Sequence, residues 1–108
     1  IQAMAVDYRR KAIVFDNVMA GLSGLAVKPI ALRMTYQVVH AVDIPVMALG
    51  GIADWRDALE FIMIGATCVQ VGTANFVSPM AAVDIISGLE KYCETEGLDT
   101  IDAVRGIL

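Results

Sequence analysis

Histidine and cysteine are scarce in this sequence: one histidine, His40, and two cysteines, Cys68 and Cys93, stand among 108 residues. The three lie in separate segments. Neither a metal-ligand spacing nor a disulfide framework is visible, and the cysteines are expected to be reduced thiols in a cytoplasmic protein. Basic residues are outnumbered, eight against twelve acidic, and the resulting net charge of −4 offers no footprint for nucleic acid. No charge-free run of about 18 apolar residues occurs, so no membrane-spanning helix is expected. The stretch from Ile1 to Phe15 lacks an apolar segment followed by a small-residue cleavage site, and no secretory signal is read there. It also lacks an initiator methionine, so the chain is expected to begin inside a longer protein or to have been trimmed.

What is present is apolar. Such residues make up 57% of the chain before glycine is counted, a content that suits strands and helices buried on more than one face, as in parallel α/β proteins. The length allows one small domain with a single core. Ile1 to Val6 reads as the tail of a buried strand. The charged run Asp7 to Lys11 followed by apolar Ala12 to Phe15 suggests a hairpin-like excursion with a solvated basic tip. Lys28-Pro29 opens a helix with the proline near its first position. Ile30, Met34, Val38 and Val42, at spacing four, predict its apolar face.

Pro45 precedes a short strand, Val46 to Leu49, that ends in Gly50-Gly51-Ile52. Asp54 is expected to cap a second helix whose buried face is Ala58, Leu59, Ile62 and Met63, with Gly65 as its stop. Cys68 to Val71 reads as another strand, running into Gly72-Thr73-Ala74-Asn75-Phe76. Ser78-Pro79 starts a third helix with Ala82, Ile85, Ile86 and Leu89 inward, and Leu98 to Leu108 suggests one more short helix starting at Asp99 or Thr100. Strands alternating with helices imply βα units on a parallel sheet. Right-handed crossovers then bring both glycine-rich strand ends to one face of that sheet.

Those two turns carry the chemistry. Glycine removes the Cβ that would obstruct a phosphate, and free N–H groups at a helix start favour an anion. In (β/α)₈ barrels phosphate often sits on the loops after the last two strands, and Gly50 and Gly72 are one βα unit apart, as adjacent loops require. Glycine after a strand also serves simply as a tight turn, and many phosphate-binding barrels share this pair. Asp54 and Asp57 read as a helix cap and a first-turn carboxylate, His40 as a charge at a helix C-terminus, and Cys68 as a small buried hydrophobe. Met34, Met47 and Met63 read as core filler. Trp55 and Phe76 flank the proposed site; packing alone accounts for them, the other reading being a shield over one end of the bound ligand.

Two longer stretches are more specific. The segment Gly21-Leu22-Ser23-Gly24, continuing through Ala26-Val27-Lys28-Pro29 to Ala31-Leu32-Arg33, resembles the dihydroorotate dehydrogenase family where it touches the flavin. Asp43-Ile44-Pro45, Gly50-Gly51-Ile52, Asp57, Glu60-Phe61, Gly65-Ala66 and Val71-Gly72-Thr73-Ala74-Asn75-Phe76 are similar to that family's closing segment. The likeness spans roughly residues 1 to 86 and leans towards the NAD-using class that works with an electron-transfer subunit.

The resemblance implies an α/β fold, the C-terminal part of a TIM (β/α)₈ barrel that is incomplete in this chain, with residues 1–108 as one fragment of it. It implies FMN as cofactor, with Gly24 as a backbone contact, Gly50 and Gly51 on the phosphate from one loop, and Gly72 and Thr73 from the next. It implies oxidation of dihydroorotate to orotate in pyrimidine biosynthesis, and a homodimer associated with a subunit carrying FAD and an iron-sulfur centre. Ala20 and Leu25 depart from the family, which commonly has glycine and proline there. The base cysteine, a lysine near the flavin and the substrate-binding asparagines would all lie upstream of Ile1. No catalytic residue is therefore expected in this chain. The other readings are a fragment of a different FMN or sugar-phosphate barrel, and a non-catalytic phosphate-binding or association module.

Overall fold

A computed structural model describes residues 1–108. Its element order is β1 (Gln2–Ala3), β2 (Val6–Asp7), β3 (Ala12–Ile13), β4 (Ala20–Gly21), α1 (Lys28–Val39), β5 (Met47–Leu49), α2 (Trp55–Met63), β6 (Cys68–Gln70), α3 (Ala74–Val77) and α4 (Ala81–Glu96). The chain is thus α/β, as expected. Strands β5 and β6 pair in parallel, Met47 to Cys68 and Leu49 to Gln70, with α2 as the connection between them.

The first 22 residues form an antiparallel arm instead of a third parallel strand. β2 pairs with β3 around the charged tip, which is the hairpin expected from the sequence, and β1 pairs with β4. The expected buried strand at Ile1 to Val6 is therefore corrected: no residue before Val27 is buried. Its backbone partners come from the arm itself, as in Val14 N–H to Ala5 O at 3.0 Å and Leu22 N–H to Ile1 O at 2.9 Å. Such local pairing brings no helix over the strand.

The core lies between the parallel pair and the helices, around Ala31, Ala48, Ile52, Ala58, Phe61, Ala66 and Ile85. Small residues there let backbones approach closely. Gly88 of α4 lies so near Trp55 that a Cβ on it would collide with the indole. Two helix faces are rotated from their expected positions. On α1 the buried residues are Ala31 and Thr35, while Ile30, Met34, Val38 and Val42 are exposed. On α4 Ile85 is buried and Leu89 packs against the core as expected, but Ala81 is buried in place of Ala82, and Ile86 is exposed. On α1 the row of small residues faces the Gly50 turn and the bulkier row beside it does not. On α2, Ala58, Leu59 and Ile62 are buried as expected, Met63 is half-buried, and Phe61 is fully enclosed.

The parallel pair is covered on one face only. Ala48 is buried and Val69 half-buried, whereas Met47, Leu49, Cys68 and Gln70 are exposed on the alternate positions. Cys68 is consequently not a buried hydrophobe, and Met34 and Met47, both exposed, are not core filler. The tail forms one 3₁₀ turn, Ile101–Val104, capped by Thr100 through Asp102 N–H at 3.0 Å. It goes no further as helix because its donors serve α2 and the turn after it. Gly106 N–H reaches Ile62 O at 3.1 Å and Leu108 N–H reaches Met63 O at 3.2 Å. The Arg105 guanidinium donates to Ala66 O and Thr67 O. No helix is long and apolar enough to cross a membrane.

Candidate functional site

Parallel pairing of Leu49 with Gln70 sets the two following loops, Gly50-Gly51 and Gly72-Thr73, side by side. The loop Leu22 to Gly24 arrives from the arm and completes an open cleft of about 1090 Å³. All five residues singled out in the sequence, Gly24, Gly50, Gly51, Gly72 and Thr73, line it. No group of the chain accepts a backbone hydrogen bond from any of their five N–H groups. Such groups need a partner, which water, a ligand or the rest of a longer protein would supply.

The glycines are not equivalent. Gly50 and Gly51 have φ of 122° and 73°, in the region that L-residues avoid. They also press on α1: a Cβ on Gly50 would lie 2.7 Å from Ala31 Cβ, and one on Gly51 would lie 2.8 Å from Lys28 N. Turn geometry and helix packing alone therefore demand glycine at both. At Gly72 a Cβ would meet nothing within 4 Å, and its φ is not left-handed. Nothing in this chain requires glycine there. Gly24, with φ of 82°, sits across from Thr73, whose Cγ2 would be 3.9 Å from an added Cβ.

The start of α2 differs from the anion-receptive helix terminus expected after Gly51. Asp54 Oδ1 accepts from Arg56 N–H at 2.8 Å and Asp57 N–H at 3.1 Å, while Asp57 Oδ2 accepts from Ala53 N–H at 2.9 Å and Asp54 N–H at 3.2 Å. This is a reciprocal capping box, and the chain's own carboxylates occupy the donors. Asp54 and Asp57 thus hold the structural roles read for them. The cleft lining carries no lysine, arginine or histidine, and its charged members are Asp54 and Asp84. Within this chain, an anion here would be held by the loop amides and neighbouring hydroxyls.

An ion cluster escaped the sequence reading. Lys28 Nζ, at the start of α1, lies 2.5 Å from Asp57 Oδ1 and 2.9 Å from Glu60 Oε2. The hydrogen bond to Asp57 is the chief reason the Lys28 ammonium is held above its ordinary 10.5, with burial opposing and Glu60 adding. Burial pushes the Asp57 carboxyl up, but Lys28 and the amides of Ala53 and Asp54 outweigh it and leave it below 3.8. Asp57 therefore stabilises the fold fully above that ordinary value, and the gain is lost as pH falls through the lowered one. In the mirror case, the Lys28 contribution is full below 10.5 and is lost as pH rises through the raised value. Asp57→Asn is expected to cost about 2 kcal/mol near neutral pH. Thermal melts should show that difference shrinking below pH 3.8, and a difference independent of pH would contradict the assignment.

The remaining candidates separate cleanly. Trp55 lines the cleft, half-buried, with its ring 6.0 Å from that of Tyr92 and the Arg56 guanidinium 4.5 Å above it. Phe76 is 93% exposed and absent from the lining, so packing within this chain does not account for it. The short α3 turns it outward into solvent. His40 caps α1, its Nδ1 2.8 Å from Tyr36 O.

The dihydroorotate dehydrogenase family model matches residues 1–93. The chain belongs to that family. It is 55% identical over 106 residues to the catalytic subunit of dihydroorotate dehydrogenase B (NAD(+)) from Petrotoga mobilis, covering 98% of this chain and 35% of that protein. The proteins of the same description from Trichlorobacter lovleyi and Bacteroides fragilis are 50% and 48% identical, covering 100% and 97% of this chain and 36% and 35% of theirs. The chain thus spans about a third of the length of the curated dihydroorotate dehydrogenases it matches, at 35% of the Petrotoga protein.

Proposed function

We propose that this chain is the closing part of an FMN-binding (β/α)₈ barrel of a dihydroorotate dehydrogenase, and that its cleft holds the FMN phosphate. The observation that carries the reading is the set of five cleft-lining residues whose N–H groups find no acceptor within the chain. Gly50, Gly51, Gly72 and Thr73 would donate to the phosphate, and Thr73 could add its hydroxyl. Gly24 would contact the cofactor through its backbone. The residues fit such a group: Gly72 leaves open the space a side chain would fill. Hydrogen bonds to a charged oxygen are roughly twice as strong as neutral ones, so amides can hold an anion without a facing cation.

The barrel reading draws on the sheet. Strands with one face under helices and the alternate residues bare suit a barrel wall, whose inner side is filled by residues from other strands. When bound, FMN supplies the hydride-accepting chemistry by which dihydroorotate becomes orotate. The share of this chain is to bind and orient it. The base cysteine and the substrate-binding asparagines would come from the rest of the barrel. Because the relatives are named as catalytic subunits, we extend the reading to a cytoplasmic homodimer paired with a subunit bearing FAD and an iron-sulfur centre.

A barrel-length protein containing this segment is expected to bind FMN and to lose its flavin absorbance when dihydroorotate is added without oxygen. Failure to bleach a stoichiometrically bound flavin would contradict the reading. The 108-residue chain supplied with FMN is expected to form no orotate. Measurable turnover by it would overturn the assignment of the catalytic base to the rest of the barrel.

A further inference from the structure

We propose that Lys28 and Asp57 act as a clamp that fixes the Gly24 loop against the Gly50-Gly51 loop, making both of them positioning residues for the amides of the cleft. The inference rests on the phosphate reading above. Asp57 is forked between the two loops. Its Oδ2 takes the N–H groups of Ala53 and Asp54, at 2.9 and 3.2 Å, directly downstream of Gly50-Gly51-Ile52. Its Oδ1 takes Lys28 Nζ at 2.5 Å, four residues after Gly24.

The Lys28 backbone is also the surface on which Gly51 rests, since a Cβ there would stand 2.7 Å from Lys28 Cβ and 2.9 Å from its Cα. Side chain and backbone of one residue therefore hold the second loop at both ends. The two charged side chains are only 22% and 12% exposed, so water competes weakly for the bridge. Glu60 supplies a more exposed second acceptor for the same ammonium.

Neither Lys28 nor Asp57 lines the cleft. Lys28 is engaged by two carboxylates and does not face a phosphate seated between the loops, so its effect on the cofactor would pass through the backbone. A displacement of the Gly51 N–H by a fraction of a hydrogen-bond length would weaken its bond to phosphate. The isoalloxazine and ribityl parts of the cofactor would lose nothing directly.

The test compares FMN with riboflavin, which lacks the phosphate, by fluorescence titration of the barrel-length apoprotein. The wild type is expected to prefer FMN. Lys28→Met and Asp57→Asn should each reduce that preference roughly ten-fold, with riboflavin affinity nearly unchanged. Lys28→Arg should restore part of it. Parallel loss of both affinities with a lowered Tm would reduce the pair to a structural role and overturn the clamp. An unchanged preference would do the same. Tighter FMN binding by Asp57→Asn would show that the freed ammonium binds phosphate directly, again overturning it. A wild type without preference for FMN would refute the phosphate reading and the clamp together, whereas a preference that survives in the variants refutes the clamp alone.

Discussion

Gly72→Val in a barrel-length protein is expected to abolish FMN retention while leaving the fold intact. The two halves of that expectation have separate causes. A Cβ on Gly72 meets no atom of this segment within 4 Å, and the backbone there is not left-handed, so the segment itself accommodates a branched residue. The space it would enter is the cleft between Gly24, Gly51 and Thr73, where the phosphate is proposed to sit. Thr73→Val should weaken retention less, because the backbone N–H survives and only the hydroxyl is lost. Gly51→Ala behaves differently. Positive φ costs an L-residue about 1–2 kcal/mol, and contact with the Lys28 backbone at 2.8 Å forces further movement. Stability and retention should then fall together. Flavin-to-protein stoichiometry and thermal melts on the three variants separate these cases, and stoichiometric FMN in Gly72→Val would show the phosphate assignment to be wrong.

The isolated chain is expected to self-associate. Its accessible surface is 7499 Å², against about 5,800 Å² for a compact monomer of its 11.6 kDa mass. The excess is about twice what one partner buries in a standard protein–protein interface. Its radius of gyration is 16.6 Å, where a compact domain of this length has about 13 Å. Much of the exposed surface is apolar: Ile30, Met34 and Val38 on α1, Met47 and Leu49 on the bare strand face, and Phe76 and Val77 after β6. Both parallel strands are also sheet edges, which recruit further strands. With no residue before Val27 buried, amides 1–25 should exchange with solvent quickly. Light scattering showing a monodisperse monomer, together with slow exchange through that arm, would contradict this.

The loops were legible from the sequence because their signals are local. Pro45 before β5, glycines after each strand, Asp54 at the start of α2 and Gly65 beyond its end each act within a few residues. The dihydroorotate dehydrogenase resemblance, resting on the same glycines, was confirmed by the family match. Helix orientation was not legible in that way. The rows Ile30/Met34/Val38 and Ala31/Thr35 lie beside each other on α1, and hydrophobicity favours the first. Close approach of Gly50 to Ala31 selects the second. In the run Cys68 to Val71 the polar Gln70 marks the outward side, and the period of two places Cys68 on that side with it and Val69 and Val71 on the other, so the exposure of Cys68 was legible from alternation. The Lys28–Asp57 bridge joins residues 29 apart, and nothing in either neighbourhood announces the partner. Asp54 and Asp57, three apart with a helix following, did carry a capping-box spacing, which explains why the donors at the start of α2 are unavailable to an anion.

The central claim is that the two strand-end loops form one phosphate site. A crystal structure of the barrel-length protein with FMN tests it most directly, through the position of the phosphorus atom. The expected result is a phosphate whose oxygens accept hydrogen bonds from the N–H groups of Gly50, Gly51, Gly72 and Thr73, with no lysine or arginine of this segment in contact. A phosphate bound elsewhere in the barrel, with those four amides bonded to water or protein, would contradict it.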